Sequence, residues 1–191
     1  LACPGGRTTL PSDKPLVVDG LMVVPPGCSC EILPGTELFF SSRRDANAVP
    51  ISTLFVGFRF PDSLGIPIAQ SQLIAQGTPG NPILFTGYRL DSVYQESAGQ
   101  WGGIHYTQDA EANVLENVEI RTASNAVRVD SISATPNTPK LAMRNVRITD
   151  AGNFGVLGLG FAQDVPGEQA PNVRGQNVLI YNAGENALGI R

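Results

Sequence analysis

Asp109 and Glu111 stand one residue apart, with Glu116 and Glu119 close behind, and form the tightest acidic group in the chain. Calcium gathers several oxygens at about 2.3–2.6 Å, so closely spaced acids are its sequence cue. Asp109 and Glu111 fall in a turn at 107–113, and a solvated turn is the preferred reading over an ion site. His105 is the only histidine. With no carboxylate or nucleophile at a catalytic spacing, it is expected on the surface rather than at work as a base. Trp101 offers a ring that could stack on a sugar, but within Trp101-Gly102-Gly103-Ile104 it reads as a structural anchor. Trp101, His105, Asp109 and Glu111 are therefore weak carbohydrate or ion candidates. Arg121, Arg128, Arg144, Arg147 and Arg174 read as outward positions paired with neighbouring acids, and Tyr88, Tyr94, Tyr106 and Tyr181 are too dispersed to define a sugar platform. No nucleophile elbow, phosphate loop, dinucleotide fingerprint or zinc spacing is present, so no catalytic residue, cofactor or metal is assigned.

Cys3, Cys28 and Cys30 all lie in the first 30 residues, away from any histidine, which argues against zinc and for an exported protein with one disulfide. Cys28 and Cys30 flank one residue, so on a strand both point to one face. Cys3 is expected to bond one of them and leave the other free or intermolecular. The odd count leaves one thiol over, to be free, lipid-modified or paired with another chain. Leu1-Ala2-Cys3 loosely resembles the end of a bacterial lipoprotein signal.

The elements that carry these residues are short. Leu21-Met22-Val23-Val24 ends at Pro25-Pro26-Gly27, Cys30-Glu31-Ile32-Leu33 at Pro34-Gly35, and Glu37-Leu38-Phe39-Phe40 at Ser41-Ser42. Four or five β-branched or aromatic residues bounded by Gly, Pro and Ser are a strand signature. No 3.6-residue apolar period persists over three turns, so long helices are not expected. The second half repeats x-Asn-Val-x-Ile at Asn117-Val118-Glu119-Ile120, Asn145-Val146-Arg147-Ile148 and Asn177-Val178-Leu179-Ile180, with the asparagines 28 and then 32 residues apart. A period of 20–50 residues indicates a solenoid or propeller, and about 40 per propeller blade is too long for these spacings. The extra residues fall at 130–140 and 161–171, read as protruding loops. The valines and isoleucines of the repeat are expected to face the core. Glu119 is expected above Arg147, and Asn117, Asn145 and Asn177 should form an amide ladder at a bend.

Composition narrows the partners. Charged residues make up 16% of the chain and net charge is −4, so no polyanion is attracted and nucleic acid is set aside. No apolar run approaches the ~18 residues of a membrane span. The chain starts at Leu1 with no secretory signal, as a processed product or trimmed fragment would.

Three phrases resemble the bacterial right-handed parallel β-helix proteins of the pectin-lyase-like superfamily. They are Val23-Val24-Pro25-Pro26-Gly27 followed by Ile32-Leu33-Pro34-Gly35-Thr36-Glu37-Leu38-Phe39-Phe40, then Leu73-Ile74-Ala75-Gln76-Gly77-Thr78-Pro79-Gly80-Asn81-Pro82-Ile83-Leu84-Phe85-Thr86-Gly87, and Gln100-Trp101-Gly102-Gly103-Ile104. The resemblance implies an all-β right-handed parallel β-helix over 16–191 behind an N-terminal extension at 1–15, with about seven coils at roughly 24 residues each. It implies no single activity, since such proteins include polysaccharide lyases, hydrolases, adhesins and surface proteins. The third repeat runs to Leu188-Gly189-Ile190-Arg191 without a capping helix, so either the solenoid continues or another subunit covers its open rung. The expected function is a non-enzymatic, extracellular structural or adhesive β-solenoid that assembles head to tail, with a carbohydrate-active or carbohydrate-binding β-helix as the alternative. A cluster of acids and arginine converging in one groove would favour the alternative.

Overall fold

A computed structural model describes residues 3, 6–58, 70–89, 91–130, 138–159 and 172–190. The described residues are all-β and contain no helix, hence none long and apolar enough to cross a membrane. The strands are Arg7–Leu10 (β1), Leu16–Val18 (β2), Leu21–Val24 (β3), Ser29–Ile32 (β4), Glu37–Phe40 (β5), Thr53–Val56 (β6), Gln72–Gln76 (β7), Ile83–Gly87 (β8), Ile104–Tyr106 (β9), Asn113–Arg121 (β10), Val127–Asp130 (β11), Leu141–Ala151 (β12), Phe154–Leu159 (β13), Val173–Ala183 (β14) and Asn186–Ile190 (β15). All thirteen ladders between them are parallel.

The pairings sort the strands into three stacks. Face A runs β1, β4, β7 and the first halves of β10, β12 and β14. Face B runs β2, β5, β8 and the second halves of the same three strands. Face C runs β3, β6, β9, β11, β13 and β15. Among the described residues each face is thus six strands deep, where about seven coils were expected. The offsets along face A vary: Thr8 pairs Cys30, Cys30 pairs Leu73, Ala75 pairs Leu115, Leu115 pairs Met143 and Met143 pairs Gly175. These steps are 22, 43, 40, 28 and 32 residues, so the described strands do not recur at a constant roughly 24 residues.

Alternation turns one set of side chains inward from each face. Face B contributes Leu38, Phe40, Ile83, Phe85, Val118, Ile120, Val146 and Ile148, all buried, and the half-buried Val178 and Ile180 continue the column. Trp101 packs parallel to Phe40, ring centroids 4.0 Å apart, and its Nε1 donates to the Arg121 carbonyl.

The corner between faces A and B is a single residue in the upper rungs. Asn117 (φ 48), Asn145 (φ 52) and Asn177 (φ 53) are left-handed, a conformation that asparagine tolerates better than most residues. Their amides form the expected ladder: Asn177 Nδ2 donates to Asn145 Oδ1 (2.8 Å), Asn145 Nδ2 to Asn117 Oδ1 (3.1 Å), and Asn117 Nδ2 to the Gly77 carbonyl (3.0 Å). A second left-handed column, not read from the sequence, follows five residues later at Thr122, Asp150 and Asn182. There Asn182 Nδ2 donates to Asp150 Oδ1.

Within 1–15, β1 pairs in parallel with β4, so the described parallel pairing reaches back to Arg7. The alternation in Arg7-Thr8-Thr9-Leu10 is masked by its polar members, yet its backbone completes the hydrogen bonds on the free side of β4. Lys140, placed in a protruding 130–140 loop, is fully buried, while 131–137 and 160–171 lie outside the described residues. Cys3, Cys28 and Cys30 are all buried, with Cys28 Sγ donating to the Cys3 carbonyl and Cys3 Sγ to that of Gly6. Burial pushes the Cys30 thiol up to about 11, helped by Cys3 and Glu31. Among the described residues no group of three His, Cys, Asp or Glu could hold a metal ion.

Candidate functional site

The outward residues of face B come together because the ladders hold them in register. Glu37, Leu84, Glu119, Arg147 and Leu179 form one column. Arg121, Thr149 and Tyr181 form its neighbour, with Phe39 and Thr86 below. The loop after β8 supplies Gln95 and Glu96 as a side wall. The result is a cleft of about 560 Å³ lined by Glu37, Phe39, Thr86, Glu96, Arg121, Arg147, Asp150 and Tyr181, among others.

Its two arginines are held by Glu119, which lines the neighbouring depression rather than the cleft itself. One carboxylate oxygen accepts from Arg121 Nη2, and the other lies 3.4 Å from Arg147 Nη1. The ladder pair Glu119–Arg147 expected from the repeat is therefore present. Arg147 Nη2 donates to the Tyr181 hydroxyl, its guanidinium carbon is 5.3 Å from the Tyr181 ring centroid, and the hydrogen bond raises its pKa above the ordinary value. Tyr181 and Leu179 stay 41% and 56% exposed. A planar guanidinium, a fixed carboxylate and an exposed aromatic ring provide directional donors, acceptors and a stacking surface side by side. The side wall is built from its own contacts: the Arg89 guanidinium sits 3.4 Å from the Tyr94 ring centroid, and Gln100 Nε2 donates to the Tyr94 carbonyl.

The weak candidates lie elsewhere. Trp101 is sealed in the core and has no face for a sugar. His105 is on the outside of face C, its Nε2 2.5 Å from Asp130 Oδ2, with Arg128 Nε donating to Asp130 Oδ1 at 2.9 Å. Burial pushes the Asp130 carboxyl up, but the His105 and Arg128 hydrogen bonds and charges outweigh it and hold it below the usual range. Asp109 is half-buried. Glu111 is no solvated turn residue: it is 3% exposed, 4.0 Å from Lys140 Nζ, which donates to the Gln108 carbonyl at 3.0 Å. The acidic pair is drawn in because Ser71 binds the turn from both sides, its N–H to the Asp109 carbonyl and its carbonyl to the Glu111 N–H.

Arg121, Arg147 and Tyr181 were visible separately but not as a group. Carrying the x-Asn-Val-x-Ile alignment one residue further puts Arg121, Thr149 and Tyr181 in one column, and that was the available signal. Lys140 and Asp130 carried no such signal, because the x-Asn-Val-x-Ile repeat does not reach either of them. Comparison of the chain with protein-family models, curated proteins and solved structures found no match.

Proposed function

We propose that the chain is a right-handed parallel β-helix of the pectin-lyase-like kind, working outside the cell as an adhesive scaffold whose face B binds a neutral polysaccharide without cleaving it. Three parallel stacks visited in turn by one chain support the coil, and parallel crossovers are almost always right-handed. The observation that carries the function is the convergence of Arg121, Arg147 and Tyr181 in one open cleft, with both arginines held by Glu119 beside it. Carboxylates lining it (Glu37, Glu96, Asp150) outnumber the two arginines, both already paired with Glu119, which disfavours a polyuronate and suits hydroxyl groups. End-to-end association, through the open backbone edges that parallel stacks present, is proposed as a second property of the same scaffold.

Binding to soluble neutral glucans, xylans and mannans, with polygalacturonate and alginate alongside, tests the reading. A neutral polymer is expected to bind, and Arg147→Ala with Tyr181→Ala is expected to weaken it about tenfold or more, roughly 1.4 kcal/mol. Release of unsaturated sugar from a polyuronate would replace it with a lyase. Light scattering on the same material checks association, and a monomer at all concentrations would remove that part.

A further inference from the structure

Lys140 takes no part in the cleft, yet it is fully buried, and two further polar side chains are buried beside it in the stack. Glu111 is 3% exposed and its Oε1 is 4.0 Å from Lys140 Nζ. Asn172 is 4% exposed and occupies the position equivalent to Lys140 on the next rung, because Leu141 pairs with Val173 and the Leu141 N–H donates to the Asn172 carbonyl at 2.9 Å. Equivalent positions on paired strands lie about 4.8 Å apart, a separation that the flexible four-carbon lysine stem spans. Lysine, a carboxyl group and a carboxamide are thus stacked at the corner from face C to face A, out of bulk water.

We propose that Lys140 Nζ and Asn172 Cγ are joined by an intramolecular amide bond, with Glu111 as the acid that assists its formation. The neutral amine attacks Cγ, and the Nζ–Cγ bond forms as the Cγ–Nδ2 bond breaks. The proton lost by the amine passes through the Glu111 carboxyl to Nδ2, which leaves as ammonia. Nothing is oxidised or reduced and no co-reactant is consumed. Burial lowers the Lys140 pKa, against the pull of Glu111, Asp130 and Asp109, and so favours the nucleophilic neutral amine. The bond closes a loop around β12 and β13 and fastens the fifth rung to the sixth, which suits a scaffold held under load.

Intact-mass spectrometry of the full chain tests this, with circular dichroism to confirm folding. The wild-type chain is expected to be lighter than its sequence by one ammonia, and its tryptic digest to contain 129–144 linked to 148–174, uncut after Lys140. Glu111→Gln and Asn172→Ala are each expected to restore the sequence mass and separate the two peptides. A folded wild-type chain at full sequence mass would overturn the proposal. So would an ammonia loss with the two peptides unlinked, the mark of a cyclised asparagine, or a linkage that survives in Asn172→Ala.

Discussion

In the upper three rungs β10, β12 and β14 cross from face A to face B in one residue, whereas the lower rungs use a separate turn each time. Residues 33–36 join β4 to β5, with Thr36 Oγ1 donating to the Leu33 carbonyl, and 77–82 join β7 to β8. Each lower turn satisfies its polar groups locally or with one neighbour, as Gly35 N–H does with the Asn81 carbonyl. An upper corner is satisfied by the amide of the next rung, so the same residue must recur in the same register. Laddered corners therefore constrain the spacing of what lies outside them. The cleft follows from this: Arg121, Arg147 and Tyr181, and the Glu119 that holds both arginines, all sit within four residues of a laddered asparagine.

The largest break is expected at the junction of the two halves. A Cβ at Gly103 (φ 108) would lie 1.7 Å from the Asn125 carbonyl oxygen, and one at Gly102 2.0 Å from Thr53 Oγ1. Gly103→Ala should cost more than about 3 kcal/mol or abolish folding, because strained backbone and a backbone clash add together. Thermal denaturation and yield of folded protein measure it, and a near-wild-type melting temperature would contradict the tight passage described here. Next in size is core truncation. Phe85→Ala, in the fully buried middle of face B, should lose about 3–5 kcal/mol. Ile180→Ala, on the half-buried last rung, should lose about 1–2. Equal losses in urea titrations would mean that the upper end is covered as well as the middle.

The same contrast explains what was legible. The upper repeat announced its own core, ladder and Glu119–Arg147 pair, because one residue per corner leaves a constant pattern. In the lower half the strands at Leu21, Cys30 and Glu37 were readable from their turn residues, but their pairing partners, up to 50 residues away as in Leu54 with Ile104, were not. Trp101-Gly102-Gly103-Ile104 was recognisable only by resemblance, and its cause, two backbone passages with no room for a Cβ, needed coordinates. The burial of Glu111 and Lys140 was invisible for a related reason. Charged residues at the ends of insertions read as loop, and only the stacking of consecutive turns encloses them.

The ladder itself should show a smaller and separable effect. Asn145→Ala removes both of its amide bonds and puts a Cβ without a compensating side chain in the left-handed region, for a loss of about 1–2 kcal/mol. Asn145→Gly keeps the backbone conformation and should lose about half as much. At the lower corner Gly35→Ala, also left-handed but with no close neighbour, should lose about 1 kcal/mol from backbone strain alone. If Asn145→Gly is as damaging as Asn145→Ala, the amides rather than the backbone conformation hold the corner, and the two halves differ more than their shapes suggest.

The smallest effect is a pH dependence on face C, away from both kinds of corner. Asp130 has a folded pKa below its ordinary value, so near pH 4 the unfolded chain binds more protons at this group than the folded one. Its contribution is therefore complete above the unfolded value of about 3.9, and is lost as pH falls through the lower folded value. The group is partly exposed, and solvent screening holds the contribution below about 1 kcal/mol. Urea titrations from pH 7 to pH 3 should show the wild-type chain losing slightly more stability than Asp130→Asn, with the two curves converging in acid. His105 faces Asp130 Oδ2 and Arg128 faces Oδ1, so Arg128→Gln should remove part of the difference while leaving the His105 contact in place. Parallel curves for wild type and Asp130→Asn across that window would mean that the His105–Asp130–Arg128 cluster adds nothing to folding.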